Sequence, residues 1–165
     1  MATLTLEQRI QRLEDIHECE QLQYQYEYYL DHGYNGEGIA SLFVEDGLWS
    51  ITGVGGTVRG KEDIKKHAVN LGKAIPWGQH NMMAPMVKIA EDGQTATGSF
   101  CLLCTLSMIV DDQPADAYVL VGKYTNKYQK IDGKWYFSEL TGDIEKSAPW
   151  DLGWIKGAVT KESWD

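Results

Sequence analysis

Apolar side chains recur at helical spacing in the N-terminal part of the chain. Thr5 and Gln8 fit a capping box, and Gly33 is a typical helix stop. We therefore predict one helix over residues 5 to about 32. Its first half is longer than a compact core needs, so the stripe there packs either in the core or on a partner subunit. The stripe consists of Leu6, Ile10, Leu13, Ile16, Cys19 and Leu22.

Two shorter helices and a run of strands follow. Helical spacing over 39–43 and 61–72 predicts the helices, and the glycine-rich segment 53–60 predicts a loop. Asp132 and Gly133 have the composition of a two-residue hairpin turn. Alternating apolar and polar positions predict strands over 48–52, 82–89, 95–108, 118–130 and 135–140.

Helices followed by strands are typical of the α+β class. We predict a cone-shaped barrel, in which a long curved antiparallel sheet wraps around three helices from the N-terminal half. The 165 residues form one domain, with a core over 5–144 and a tryptophan-rich tail over 145–165. The tail contains Trp150, Trp154 and Trp164, so we expect it to cover the mouth of a pocket or a neighbouring subunit.

The composition argues against several classes of function. A net charge of −9 and a pI of about 4.9 oppose attraction to a phosphate backbone, so we expect no nucleic acid partner. The chain has no apolar run of about 18 residues, so we expect no membrane partner. The N-terminus lacks a basic and apolar signal pattern, and we expect a cytoplasmic protein.

The cysteines and histidines do not predict a metal or disulfide site. Cys19, Cys101 and Cys104 are odd in number, which argues against a disulfide framework. Cys101 and Cys104 form a CxxC inside a predicted strand, without the turn or helix start that redox and zinc motifs use. We interpret them as small apolar strand residues. The histidines lack the spacing of a zinc set, and we predict no metal and no cofactor.

Asp31 and His80 are the candidate acid and base. Asp31 ends the first predicted helix, where a negative charge is unfavourable with the helix dipole, which favours a functional role over a solvated helix end. His80 is the other proton carrier in an apolar setting. Among the remaining histidines, we expect His17 to be solvated and His67 to be exposed, and His32 is an alternative partner for Asp31.

An ordered set of motifs over residues 5–144 resembles the SnoaL-like group of the nuclear-transport-factor-like (cystatin-like) superfamily. This resemblance implies a cone-shaped α+β fold with a deep apolar pocket. The motifs are Tyr26-x-x-x-x-Asp31, Leu42-Phe43-x-x-Asp46-x-x-Trp49, the helix start Gly60-Lys61-Glu62, His80 ahead of Pro85 and Ile89, Asp92-Gly93-x-x-Ala96, and Tyr124-x-x-x-Tyr128-x-x-x-Asp132-Gly133-x-Trp135.

Within that group the chain is most similar to cofactor-free lyases such as scytalone dehydratase, bile-acid dehydratase and lindane dehydrochlorinase. The resemblance places their catalytic pattern on Asp31, His80 and Tyr26. It implies that His80 removes a proton from the substrate and can then protonate the leaving group. Asp31 would stabilise the charged imidazole, and Tyr26 would polarise a carbonyl or phenol oxygen.

The resemblance also indicates substrate contacts and departures from the pattern. Tyr124 and Asn126 lie on the strand that lines the pocket in scytalone dehydratase, and Trp49 is either pocket lining or plain core. Cys104 stands where the bile-acid enzyme has a second acid, and Glu145 replaces an arginine of related enzymes. These departures leave the leaving-group end of the site open.

We therefore predict a cofactor-independent lyase. It would eliminate water, or a carbon fragment such as formaldehyde, from a small hydrophobic, oxygenated, cyclic or aromatic substrate. One alternative is an isomerase or polyketide cyclase with the same pocket. Another is a non-catalytic domain that binds small molecules. The resemblance further implies a homo-oligomer, either a trimer or a dimer.

Overall fold

The first helix has the start that its sequence predicts. In the computed structural model, which describes residues 4–53, 55–110 and 113–156, helix α1 spans Leu6–Asp31. The backbone N–H of Thr5 donates to Oε1 of Gln8 at 2.9 Å, and the N–H of Gln8 donates to Oγ1 of Thr5 at 3.3 Å. The reciprocal pair confirms the capping box, which satisfies two amides that the helix itself leaves unpaired.

The predicted elements follow in order, with corrected bounds, and two further short elements join them. They are α2 (Gly36–Ser41), β1 (Phe43–Thr52), β2 (Gly56–Arg59), α3 (Lys61–Ala74), β3 (Trp77–Ile89), β4 (Thr95–Met108), β5 (Asp116–Ile131), β6 (Lys134–Pro149) and α4 (Gly153–Lys156).

Three predictions about these elements were wrong. The segment predicted as a glycine-rich loop contains strand β2, because Thr57 and Val58 pair with Ser50 and Trp49 of β1. Phe43 begins a strand instead of ending a helix. Strand β6 runs past Leu140 to Pro149, so the start of the predicted tail, residues 145–149, belongs to the sheet. Trp164 lies outside the described residues.

The strands form one curved, unclosed sheet in the order β2-β1-β6-β5-β4-β3. All pairs are antiparallel except β1 with β6. The Asp132-Gly133 turn joins β5 to β6, and both residues have the positive φ that such a turn requires (49° and 79°). The α+β class and the curved, mostly antiparallel sheet are therefore confirmed. None of the described helices could span a membrane.

A buried carboxylate anchors α1 over the sheet. Asp15 is only 3% exposed, and its Oδ1 accepts hydrogen bonds from Nζ of Lys130 at 2.5 Å and from the indole N–H of Trp135 at 3.0 Å. Burial by itself raises the pKa of Asp15, but the hydrogen bonds from Lys130 and Trp135 outweigh it, so the net pKa is lowered. The pairing fixes the helix against the β5–β6 hairpin and so sets where its other end lies.

The apolar stripe of α1 is divided between core and surface. Cys19 and Leu22 are buried, whereas Leu6, Ile10 and Leu13 are 65%, 48% and 67% exposed. Within one chain the core alternative is therefore wrong for the first half of the helix. Trp150 and Trp154 of the tail are also exposed, at 65% and 46%.

Candidate active site

The end of α1 meets strand β3 at Asp31 and His80. Nδ1 of the imidazole lies 2.7 Å from Oδ1 of Asp31, and the backbone N–H of His80 donates to both carboxylate oxygens at 3.1 Å. A carboxylate only accepts, so Nδ1 carries the hydrogen and Nε2 is left to take a proton. The side chains are 9% (His80) and 19% (Asp31) exposed. The structure thus brings the predicted acid and base together, across 49 residues of chain.

The chain reversal after Asp31 sends its neighbours to opposite sides. Gly33 and Tyr34 both have positive φ, 84° and 53°, and the N–H of Tyr34 donates to the carbonyl of Leu30 at 3.1 Å. His32 turns outward, where its ring stacks on Tyr28 and its Nδ1 lies 2.7 Å from the Tyr28 carbonyl. His32 is therefore not the partner of Asp31.

Tyr34 turns inward, and sequence reasoning did not single it out. It is 5% exposed and its ring stands edge-on to His80, with centroids 6.4 Å apart. Gly72 allows this position, because a Cβ there would come within 2.9 Å of the Cβ of Tyr34. Burial, then nearby Cys104 and Tyr124, raise the pKa of the Tyr34 hydroxyl, which stays protonated at neutral pH. The only sequence signal was its place directly after the helix-stop glycine.

An apolar cavity of about 50 Å³ adjoins His80. Ligand sites are typically about 300–1,000 Å³, and 50 Å³ holds only a few waters. A cavity therefore lies where the deep pocket was expected, but it is much smaller than a typical ligand site. The cavity is lined by Tyr26, Leu30, Tyr34, Trp49, Ile51, Gly55, Leu71, Ile75, His80, Leu102, Cys104, Leu106, Leu120, Tyr124 and Ile144.

Two tyrosines and a tryptophan supply hydrogen-bond donors to this cavity. Tyr26 packs edge-on against both Trp49 and Tyr124, with centroids 6.0 Å away in each case. Burial and then the neighbouring Tyr124 raise the pKa of Tyr26 well above its usual value, and burial also raises that of Tyr124. The indole of Trp49 lies close enough to Tyr26 to lower the pKa of the Tyr26 hydroxyl slightly. The buried indole N–H of Trp49 nevertheless has no hydrogen-bond partner of good geometry among the described residues. All three groups are neutral donors at physiological pH.

Cys104 faces His80 across the β3–β4 ladder and lines the same cavity. Burial raises the pKa of its thiol to about 12, with smaller contributions from Asp31 and Glu27. The position that would carry a second acid therefore holds a neutral thiol. Cys101 is exposed while Cys104 is buried, and both are free, which agrees with their interpretation as strand residues.

Asn126 lies outside the cavity lining. Its Nδ2 donates to Oε1 of Gln23 at 2.6 Å and to the Tyr128 hydroxyl at 3.2 Å, and the side chain is fully buried. The structure thus places this predicted substrate contact in a core hydrogen-bond network. Glu145 is also buried, with Oε1 4.0 Å from Nζ of Lys123.

His67 is half-buried, so the prediction that it is exposed was wrong. Its ring stands edge-on to Trp49, with centroids 5.0 Å apart, and its Nε2 contacts the carbonyl of Gly55. His17 is exposed, as predicted.

A second, larger cavity of about 790 Å³ lies toward the other end of α1, beside Arg12, Ile16, Ile89 and Tyr128. It does not include the Asp31–His80 pair. Among residues 4–53, 55–110 and 113–156, no three histidine, cysteine or acidic side chains are grouped as metal ligands would be.

Comparisons with known proteins agree with this architecture. The structure superimposes on a hexachlorocyclohexane dehydrochlorinase (LinA, type 2) with a TM-score of 0.77, at 22% identity over 86% of this chain and 92% of that one. A putative scytalone dehydratase from Novosphingobium aromaticivorans superimposes with a TM-score of 0.73, at 21% identity over 86% of this chain and 91% of that one. A putative calcium/calmodulin-dependent protein kinase II association domain from Xanthomonas campestris superimposes with a TM-score of 0.58, at 19% identity over 77% of this chain and 85% of that one.

At these identities the likeness establishes the fold and leaves the reaction open. No curated protein sequence matches the chain. The family model described as the SnoaL-like domain matches residues 11–141, which is most of the sequence. The chain therefore belongs to the SnoaL-like domain family.

Proposed function

We propose that this protein is a lyase that uses His80 as its base and Asp31 as the partner of that base. The observation that carries the proposal is the 2.7 Å contact between Nδ1 of His80 and Asp31 beside an apolar cavity. In that arrangement Nε2 is the nitrogen available to a substrate, and the carboxylate stabilises the imidazolium that forms. The fold likeness to a dehydrochlorinase and a dehydratase supports the same class of reaction.

The reaction begins at a carbon next to a carbonyl or a phenol-type oxygen. His80 takes the proton from that carbon, and the electron pair moves toward the oxygen. Tyr26 and Tyr124 donate hydrogen bonds to the oxygen as negative charge builds, in a site from which bulk water is excluded. The electron pair then returns to form a double bond between the two carbons, while the carbon–oxygen bond on the adjacent carbon breaks. The imidazolium returns its proton to the departing oxygen, so water leaves and His80 is neutral again.

The leaving-group end of the cavity favours this route. The described lining residues include no lysine or arginine that would stabilise a departing anion, and Cys104 is a neutral thiol. A leaving group that accepts the proton of His80 departs uncharged, so it needs no such cation. Water meets this requirement. In a retro-aldol cleavage His80 instead takes the proton of the substrate hydroxyl, formaldehyde departs uncharged, and the imidazolium returns the proton to the carbon that is left. The substrate we propose is small, hydrophobic, oxygenated and cyclic or aromatic.

The substrate must widen the cavity to bind. Leu71 and Ile75 are half-buried at the C-terminal end of α3, and both line the cavity. Displacing these two side chains opens the site without disturbing the fully buried wall formed by Leu102 and Cys104.

An isomerase or polyketide cyclase is the second candidate. The lack of a lysine or arginine among the described lining residues also supports it, because such a reaction has no leaving group to stabilise. If nothing leaves, the imidazolium returns the proton to a different atom of the substrate. A lyase product is lighter than its substrate, whereas an isomerase product has the same mass and takes up deuterium from heavy water.

The deciding experiment is a screen of hydroxylated cyclic and aromatic ketones by mass spectrometry. We expect wild-type protein to remove one water from at least one compound, His80→Ala to lose turnover by several orders of magnitude, and the exposed control His32→Ala to keep it. Turnover by His80→Ala close to wild type would remove His80 from the mechanism.

We also propose that the chain is a homo-oligomer, a dimer or a trimer. The exposed residues Leu6, Ile10 and Leu13 form an apolar stripe that a second copy would cover. Sedimentation of wild type and of a Leu6→Glu/Leu13→Glu variant tests this, since the variant should sediment as a smaller species. A monomeric wild type would contradict it.

A further inference from the structure

Two carboxylates of α1 reach the same edge strand. Asp31 accepts the backbone N–H of His80, and Oε2 of Glu27, one helical turn earlier, accepts the backbone N–H of Met82 at 3.3 Å. Strand β3 is the last strand of the sheet, so no other strand of the described residues pairs with its outer side. An edge strand exposes unpaired N–H groups, and here the two carboxylates take the place of a neighbouring strand at residues 80 and 82.

The spacing of the helix and that of the strand agree. Four residues of an α-helix advance about 6 Å, and two residues of a β-strand advance about 6.6 Å. A carboxylate at positions 27 and 31 therefore meets an amide at positions 82 and 80 when helix and strand run antiparallel. His80 and Met82 are alternate residues, so both side chains point to the buried face of the sheet while both N–H groups point to the helix.

Glu27 also belongs electrostatically to the Asp31–His80 pair. Glu27 is half-buried. Burial raises the pKa of its carboxyl group, and the negative charge of Asp31 raises it further, whereas the hydrogen bond from the Met82 N–H lowers it. Keeping a partly buried carboxyl beside a like charge is unfavourable unless it makes a compensating contact. The contact that the structure shows is the amide of the strand that carries the base.

We propose that Glu27 is a positioning residue for His80: by holding the Met82 amide, it fixes β3 against α1 so that the imidazole stays on Asp31. This rests on the proposed function only in that His80 is the base. The geometric claim concerns the strand itself, and none of the sequence motifs names Glu27.

The test compares variants that separate the acceptor from the charge. Glu27→Gln keeps an oxygen acceptor and loses the charge. Glu27→Asp keeps the charge but draws the acceptor back by one methylene, and Glu27→Ala loses both. Glu14→Ala, at an exposed position of the same helix, is the control. Two signals are followed by NMR: hydrogen exchange of the His80 and Met82 amides, and the low-field resonance of the His80 Nδ1–H proton bound to Asp31.

We expect exchange of the two amides to speed up about tenfold or more in Glu27→Ala, with the Nδ1–H resonance shifted or broadened, because the Met82 amide loses its acceptor. Glu27→Asp should show the same change in smaller measure, and Glu27→Gln and Glu14→Ala should stay within about twofold of wild type.

The proposal is overturned if Glu27→Gln and Glu27→Asp leave both signals as in wild type, or if Glu27→Gln disturbs them more than Glu27→Asp does. These two conservative variants decide the matter even if Glu27→Ala does not fold. Neither signal needs a substrate. A wild-type protein that proves inactive on every ketone would refute the proposed function while the NMR result still decides the role of Glu27.

Discussion

Replacing Asp31 by Asn tests the electrostatic core of the proposed mechanism. The substitution keeps the size of the side chain and one oxygen acceptor, but it removes the negative charge 2.7 Å from the imidazole. The charge matters when His80 becomes imidazolium, in the transition state, and much less in the resting enzyme. The structure therefore predicts a fall in kcat with little change in KM, because Asp31 contacts His80 and is absent from the cavity lining.

The size of the effect follows from Coulomb's law. Two unit charges about 4 Å apart interact by about 4 kcal/mol at an effective dielectric constant of 20. Asp31 is 19% exposed, so solvent screens part of this interaction. A loss of about 3–4 kcal/mol of transition-state stabilisation corresponds to a fall in kcat of about 10²–10³-fold.

The assay is steady-state kinetics on the ketone found by the mass screen, with Asp46→Asn, on an exposed carboxylate, as the control. Asp31→Asn also weakens one of the contacts to the His80 amide, so thermal unfolding is measured in parallel to show that the variant is folded. A rise in KM with unchanged kcat would refute the reasoning, since Asp31 would then position substrate. Unchanged kinetics would remove the pair from catalysis altogether.

Three further substitutions test other parts of the site and fold. Tyr26→Phe should lower kcat about 10- to 100-fold in the same kinetic assay, because it deletes a protonated donor and keeps the ring packing; equal kcat would mean that Tyr26 only packs. Leu71→Ala should admit larger ketones, measured as a lower KM for them, and should reduce the free energy of unfolding by about 1–3 kcal/mol; an unchanged size preference would show that entry lies elsewhere. The folded-state pKa of Asp15 is lowered, so its stabilisation is present above the unfolded value of about 3.9 and is lost as the pH falls through the folded pKa. Asp15→Asn should therefore cost about 2–4 kcal/mol in urea unfolding at pH 7 and progressively less as the pH falls below about 3.9, and a cost that does not change with pH would contradict this account.

The predicted features that the structure shows depend on local chemistry. The capping box of α1 needs only Thr5 and Gln8, and the hairpin turn needs only Asp132 and Gly133. Strand β4 has the predicted bounds because its alternation is unbroken from Thr95 to Met108. The pairing of Asp31 with His80 is not local, and it came from the resemblance to a family whose spacing already encodes the contact.

The features that sequence reasoning missed or left open depend on which neighbouring segment covers each surface. The stripe of Leu6, Ile10 and Leu13 has the period of a core helix, yet no part of the described chain covers it, because a period shows which face is apolar and says nothing about its neighbour. Strand β2 forms because β1 offers it an edge, against the local preference of the glycine-rich segment 53–60.

The sequence by itself therefore determined the class of fold and the order of most of its elements, and it named Asp31 and His80 as the candidate acid and base. Only the tertiary structure decided that Tyr34 turns toward His80, that Asn126 donates to Gln23, that Glu27 accepts the backbone N–H of Met82, and that the cavity is small. The physical reason is that helix caps and turns depend on residues a few positions apart. Cavity volume and hydrogen-bond partners depend on contacts between distant segments that must all fit at once.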